Sequence, residues 1–447
     1  MLRGSLLLFA LLLLSLACSS QHECTSDGNC ASDQVCIDGL CEASAEEHVE
    51  EEIGEEEEVE EEEQEEQEQD EQDEDLCGLQ ICSIEEFCLE GACLPLSFTF
   101  ETVAAENVGE WYVSLSLDRA GAPHLSFKDN DEKNLLYARR GPEGWEVEVA
   151  DDSQSVGRDS KIAIDPDGHP HIVYNDGANW TTKYAFFDGQ EWNSTTILDI
   201  TGFGQQMNIA IDDDGGVHVL LADESNSFAP RLIYARPTPE GWSRETVAAA
   251  SQEGFWYNSI QIHNGIPYIA HLPVDLADDA PRELRLSHRV GDDEWSTEAI
   301  PVDGPRLGAY TPLGFGPDGH PQIAYHIRTS EDFSAGTLHL ARFDGDQWTT
   351  ILVDDRDAAG LYLDMAVDPW GRAHIIYGER NSATLRYARY HEGEWLRIDL
   401  ADLGTGPLLG SWLPAIAVDA RGIPHLSFHD PGTDTVRYAT YELNEAN

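Results

Sequence analysis

The chain has 447 residues, and 85 acidic against 26 basic residues give it a formal charge of −59. That excess disfavours nucleic acid and anionic lipid headgroups as partners, because phosphate binding needs the opposite sign. With 41% hydrophobic and 9% aromatic residues, the composition still supplies a sizeable core.

Residues 1–17 carry one positive charge at Arg3, then the apolar run LLLFALLLLSLA with small residues Ser15 and Ala17 before Cys18. This pattern predicts an export signal, too short and wrongly flanked for a membrane span. Ser-Leu-Ala-Cys is similar to a bacterial lipobox with Ser15 where leucine is usual, and ordinary cleavage after Ala17 also fits. Cysteine parity separates the two. Of nine cysteines, eight fall into two groups of four, which leaves Cys18 as the thiol that takes a lipid. The expected location is the bacterial cell envelope, at the outer membrane, with the lipid as the sole membrane contact.

The first four-cysteine group, Cys24, Cys30, Cys36 and Cys41, lies within residues 18–43. The second, Cys77, Cys82, Cys88 and Cys93, lies within 76–95. Modules this short cannot bury a core, and exported compartments are oxidising, so disulfides are the expected staples. Zinc prefers closer Cys-x2-4-Cys pairs than most of these gaps provide. Sequence leaves three pairings open in each module. Between the modules, residues 44–75 form an acidic linker, with 21 Asp or Glu among residues 46–75. Charge repulsion and few apolar residues predict a disordered stalk. Fully stretched, it reaches about 100 Å at roughly 3.3 Å per residue.

From residue 96 onward one sentence recurs. Its clearest copy is SKIAIDPDGHPHIVYNDGANWTTKYAFFDGQEWNSTTIL at 160–198. Four apolar runs bounded by Asp/Gly turns predict four antiparallel strands. The Asp-x-x-Gly between the first two strands recurs at Asp118, Asp165, Asp212, Asp368 and Asp419, and departs from the pattern at Asn264 and Gly316. The turn glycines Gly121, Gly168, Gly215, Gly265, Gly319, Gly371 and Gly422 are 47, 47, 50, 54, 52 and 51 residues apart. Trp145, Trp192, Trp242, Trp295, Trp348 and Trp395 open the fourth strands. Such a unit at such a period predicts an all-β, seven-bladed β-propeller over residues 96–447. The seventh copy stops where its fourth strand should begin. FTFETVAA at 98–105 matches the fourth strand WSRETVAA at 242–249, with Phe98 in place of tryptophan. The N-terminal strand is therefore expected to complete the last blade and seal the ring.

SLSLDRAGAPHLSFKD (114–129), IAIDPDGHPHIVYND (162–176) and IAVDARGIPHLSFHD (416–430) resemble the tandem repeats of bacterial surface and secreted proteins. Those repeats read S-L-A-L-D-x-x-G-x-P-H-I-S-Y-Y-D, followed by L-K-Y-A and a tryptophan strand. The resemblance covers residues 98–447 and implies the repeat and the fold, but little about activity.

Loops joining strands two to three, and blade to blade, vary most, and variable loops on a rigid frame are where binding usually sits. On that side, Gly-aromatic stretches lead into the innermost strands. They place Trp111, Tyr112, Trp256, Tyr257, Tyr310, Tyr362 and Trp412 around one mouth of the central channel. Aromatic faces beside carboxylates suit a sugar; the competing expectation is packing between blades. A second series, Asp129, Asp176, Asp223, Glu379 and Asp430, ends strand two. It offers oxygens for Ca²⁺, but turn capping is the better expectation. His124, His171, His218, His374 and His425 each follow a turn, which favours a His–Asp hydrogen bond per blade over a metal ring. Asp165 to His169 reads as a turn before a calcium loop.

No Gly-x-Ser-x-Gly elbow, His-Glu-x-x-His or phosphate-cradling loop is present. FDGQEW (187–192) and FDGDQW (343–348) resemble sialidase Asp-boxes but are one residue short and lack the leading Ser/Thr. The expected protein is a monomeric binding module that recognises a glycan or a protein through the variable-loop face and needs no cofactor. The alternatives are a glycan-cleaving hydrolase or lyase on the same face, or a structural envelope lipoprotein.

Overall fold

The computed structural model describes six short strands within residues 34–95 and most of residues 97–441. Outside the described residues lie 1–33, 44–75, 105–106, 109–110, 200–206, 227–228, 251–253, 256–257, 275–282, 303–306, 309, 330–334, 357–358, 380–383, 392, 403–411 and 442–447, with the links between the early strands. The export segment, Cys18 and the acidic linker therefore lie outside them. Two compact units result, Met1–Leu76 and Cys77–Asn447. No helix among the described residues is long and apolar enough to cross a membrane.

In the first unit, Gln34–Ile37 and Leu40–Ala43 form a hairpin in which Cys36 faces Cys41. In the second, Glu86–Leu89 pairs with Ala92–Pro95, and Cys88 faces Cys93. Cys93 is disulfide-bonded. This hairpin touches the ring directly: the buried Arg389 donates from Nη2 to the Glu86 carbonyl at 2.9 Å.

Seven four-stranded antiparallel sheets follow one another along the second unit. Their innermost strands are Ser114–Leu117, Val156–Ile164, Met207–Ile211, Ser259–His263, Leu313–Phe315, Ala359–Val367 and Ala415–Val418. In the first six blades each strand pairs with its successor in the chain. In the seventh, Thr435–Tyr441 pairs with Phe98–Ala104, in the register Tyr441↔Phe98 to Val436↔Ala104. The strand Phe98–Ala104 thus completes the last blade, as the repeat register predicts.

The core is distributed between the blades. Seven apolar clusters each join one blade to the next, for example Tyr137 and Leu135 with Ile162, Ile172 and Tyr174, and, across the closure, Val436 and Tyr438 with Val113, Leu115 and Leu125. Strand two is buried on both faces in blades two, three, five and six, which is why HIVY-type runs do not alternate.

The repeated tryptophan bridges blades. Trp192 packs edge-on against Tyr137 of the preceding blade (5.3 Å between centroids) and donates from Nε1 to Glu148 at 2.9 Å. Trp145 does the same with Tyr438 and Glu101, and Trp295 with Tyr234 and Glu245. At the closure strand, Phe98 takes the edge-on place against Tyr387 at 5.3 Å. Deleting residues 96–104 should therefore melt the whole ring at lower temperature rather than fray one end. Phe98→Ala alone should cost about 2 kcal/mol, below the ~3–5 kcal/mol of a fully buried ring because Phe98 is half-buried. Calorimetry of both variants checks this; unchanged cooperative melting of the deletion would refute the closure role.

Candidate functional site

The conspicuous polar residues belong to the scaffold. In blade two, Asp165 Oδ1 accepts from the backbone N–H groups of Asp167 (2.9 Å) and His169 (2.8 Å) and so caps its turn. Gly168 adopts φ +88° there, a region glycine enters without penalty. The acids ending strand two cap their own loops: Asp129 Oδ1 accepts from Asp131 and Glu132 N–H, Asp176 Oδ1 from Ala178 and Asn179 N–H, and Asp430 Oδ1 from Gly432 N–H. Asp223 accepts from Ser225 N–H and pairs with Arg231, and Glu379 pairs with Arg386 at 2.8 Å. Asp165, Asp167 and His169 offer ligand atoms within 4.8 Å of one another, but Asp165 is already engaged by its own turn and by His171.

The histidines complete a relay. Each Nδ1 lies 2.5–2.7 Å from a tyrosine hydroxyl of strand three: Tyr137, Tyr184, Tyr234, Tyr387 and Tyr438. Each Nε2 faces the turn aspartate, at 3.0 Å for His218, 3.1 Å for His374 and 3.3 Å for His171. A neutral ring with its proton on Nε2 satisfies both partners: the tyrosine O–H donates to Nδ1 and Nε2–H donates to the carboxylate. The gap opens to 3.6 Å for His124 and to 3.9 Å for His425, whose Asp419 Oδ2 also accepts from Arg421 at 2.8 Å.

Burial holds the pKa of His124, His171, His218 and His374 below the usual 6.5, outweighing the aspartates that pull the other way. It pushes His271 and His326 down to about 3. These six rings are neutral in the fold and protonate when unfolded. Their contribution is therefore complete above pH 6.5 and is lost as pH falls below it, at about 1.4 kcal/mol per pH unit for each proton taken up. Asp159, Glu224 and Asp364, whose pKa values are raised, act in the opposite sense but are outnumbered. The melting temperature should fall from pH 7.5 to pH 5, with net proton uptake on unfolding; calorimetry in buffers of different ionisation enthalpy reads both.

The chemistry that the scaffold does not consume lies on the ring axis. Four residues ahead of the turn position, in or just before the innermost strand, the blades carry Ser114, Lys161, Asn208, Ile260, Pro312, Asp364 and Ala415. Lys161, Asn208, Pro312 and Asp364, with Ser259 of blade four, border both a mouth cavity of about 60 Å³ and a polar channel of about 310 Å³ running along the inner strands. Two blades distort to present the mouth. In blade two the ladder shifts register between Val156 and Lys161, with Gly157 at φ +87° and Asp159 at +56°. Blade six repeats this with Gly360 at +95° and Tyr362 at +52°. Bulges of this kind re-aim side chains, and here they turn Asp159 into the cavity.

Asp159 is buried at 3% exposure. Asn175 Nδ2 donates to its Oδ2 at 2.8 Å, the Tyr112 hydroxyl hydrogen-bonds to the same carboxyl, and Arg158 lies 3.7 Å away. Desolvation outweighs these and raises its pKa to about 6. Its Oδ1 has no hydrogen-bond partner, and neither has Oδ1 of Asn258, which lines the same cavity at 8% exposure. Asp364 accepts from the N–H groups of Met365 (2.9 Å) and Ile416 (3.1 Å), yet burial still raises its pKa. The Lys161 charge favours the ionised form of both carboxyls.

Of the seven aromatics expected at the mouth, Tyr112 and Tyr310 line this cavity, but they are buried at 7% and 6%. They pack into the cluster shared by blades five and six, so they wall the cavity instead of forming an exposed platform. Tyr362 is half-buried and meets Tyr310 edge-on at 5.9 Å. Trp111 and Trp412 pair through their backbones, Trp412↔Trp111, where blades seven and one meet; their side chains, and all of Trp256 and Tyr257, lie outside the described residues. Asp159, Lys161, Asn258 and Asp364 escaped the sequence reading. The available signal was a polar residue interrupting an apolar innermost strand.

No protein-family model matches the sequence, and no curated protein does. Among solved structures the chain is similar to an ulvanlyase from a polysaccharide lyase family (15% identity, 75% of this chain and 94% of that one, TM-score 0.49). It is also similar to the Penicillium chrysogenum α-L-arabinanase complexed with arabinobiose (12%, 64% and 94%, 0.47). A third is the β-propeller domain of the trilobed protease from Pyrococcus furiosus, described as having an open velcro topology (10%, 75% and 94%, 0.46).

Proposed function

We propose that this chain is an exported module, anchored through a lipid on Cys18, that binds a glycan at the variable-loop mouth of its propeller. One observation carries the reading. The lead-ins to the innermost strands bring the rings of Tyr112 and Tyr310 together with Asp159, Lys161, Asn208, Asn258 and Asp364 in a single axial cavity. Ring faces give a sugar its apolar contact, and the surrounding oxygens and nitrogens match its hydroxyls. The carboxylates of the strand-two ends serve their own loops, whereas on the axis Asp159 and Asn258 each keep an acceptor oxygen without a partner. Residues 1–18 support export and lipidation, and the acidic run at 44–75 suits a stalk that holds the ring away from the anchor.

Cleavage of the bound glycan is the second reading, favoured by Asp159. A carboxyl poised at about pH 6 in a cavity that a second carboxyl also lines suits proton donation to a leaving oxygen.

A glycan array probed with the purified chain tests the main reading, and reducing-end release from each bound glycan tests the second. Tyr310→Ala should weaken glycan binding at least tenfold, and Asp159→Asn should abolish release if cleavage occurs. Binding to no glycan would overturn the proposal. Cys18→Ser should move the protein from the membrane fraction to the soluble one; a variant that stays membrane-bound with unchanged mobility would refute the anchor.

A further inference from the structure

We infer that the axial cavity takes a pair of neighbouring hydroxyls on one edge of an uncharged sugar, with Asp159 Oδ1 and Asn258 Oδ1 as acceptors and the Lys161 ammonium as donor. The inference rests on the glycan reading above and narrows it to a ligand class. Both acceptor oxygens are buried without partners in side chains more than nine-tenths buried, and a buried acceptor left unmade is costly. A ligand that fits must therefore bring two donors. Lys161 borders the same cavity and carries three N–H donors, so the ligand must also accept. Hydroxyls do both. Two adjacent ones donate to the two oxygens while one accepts from the ammonium.

Other ligand classes fail on the same inventory. A uronate or sulfate group would accept from Lys161, but it has no proton for Asp159 or Asn258 and sets a negative charge beside Asp159 and Asp364. It would also enter a domain that, from residue 98 onward, has 56 acidic against 25 basic residues. A metal ion could use the two oxygens but would sit beside the Lys161 ammonium. An amine would supply donors and leave Lys161 without an acceptor. Size points the same way: about 60 Å³ holds roughly five water-sized groups at ~10–15 Å³ each. That is room for the edge of one ring, with the rest of the glycan lying over the mouth.

The experiment titrates the full chain with neutral oligosaccharides (arabinan, galactan, mannan and glucan fragments), oligogalacturonates and chitosan oligomers. It then repeats the titration with single-deoxy versions of the tightest neutral ligand. Neutral fragments should bind, with oligogalacturonates and chitosan oligomers at least tenfold weaker. Lys161→Met and Asn258→Ala should each weaken neutral binding at least tenfold while melting near wild type, and Lys161→Arg should recover part of the loss. Removing either member of one hydroxyl pair from the sugar should cost a similar factor, and this arm decides the matter if a variant fails to fold. Equal or tighter binding of oligogalacturonates or chitosan, or wild-type affinity in both folded variants and every deoxy sugar, would overturn the inference while leaving a glycan-binding protein. Failure of the wild-type chain to bind any glycan would overturn the glycan reading and this inference together.

Discussion

The ring depends on one contact, made at five of its seven interfaces: a tyrosine set edge-on against an aromatic ring of the neighbouring blade. Tyr438–Trp145, Tyr137–Trp192, Tyr184–Trp242 and Tyr234–Trp295 all fall between 5.1 and 5.3 Å, and Tyr387–Phe98 matches them. Such a pair contributes about 0.5–1.5 kcal/mol beyond its burial. The tyrosine is not free to leave, because its hydroxyl is fixed by a histidine that is in turn oriented by the turn aspartate. A turn on one face of the blade thereby governs packing between blades. Blades four and five lack the histidine: Tyr268 and Gln322 stand near its place. Gln322 instead donates to the Gly371 carbonyl at 2.8 Å, reaching the following blade by another route.

This coupling explains why the fold was legible. Asp-x-x-Gly, histidine, tyrosine and tryptophan recur because each must meet the others, so their spacing repeats with the blade. Phe98 was recognisable as a fourth-strand residue because it fills a tryptophan's place in that pattern. The acids after strand two were equally readable, since an aspartate preceding a tight loop caps it wherever it occurs.

The axial cavity was not legible, for the converse reason. Its residues do not recur. At the position four ahead of the turn, the blades carry Ser114, Lys161, Asn208, Ile260, Pro312, Asp364 and Ala415, and no two neighbouring blades agree. Asp159 reaches the cavity only because the backbone bulges between Val156 and Lys161, and a bulge leaves little trace in hydropathy. The aromatics misled in a related way. Their Gly-aromatic spacing located the right end of the ring, but Tyr112 and Tyr310 are mostly buried in packing and wall the cavity alongside its polar groups instead of standing exposed.

A closed ring of near-equivalent blades has one place where all of them meet, and difference between blades has its largest effect there. At the interfaces, a departure from the repeat weakens a contact. On the axis, seven side chains border a shared space, so a lysine in blade two and an aspartate in blade six change the chemistry of the whole opening. Asp364 illustrates the consequence. Its two oxygens accept only one backbone N–H each, from Met365 and Ile416, whereas Asp165 accepts two N–H groups on a single oxygen. The turn aspartate is held low by its own loop, while the axial one is left to burial and to the charge of Lys161. The same residue type thus serves as scaffold at the rim of a turn and as a responsive group on the axis; each accepts two backbone N–H groups, and what separates them is the His171 partner of Asp165 and the stronger desolvation of Asp364.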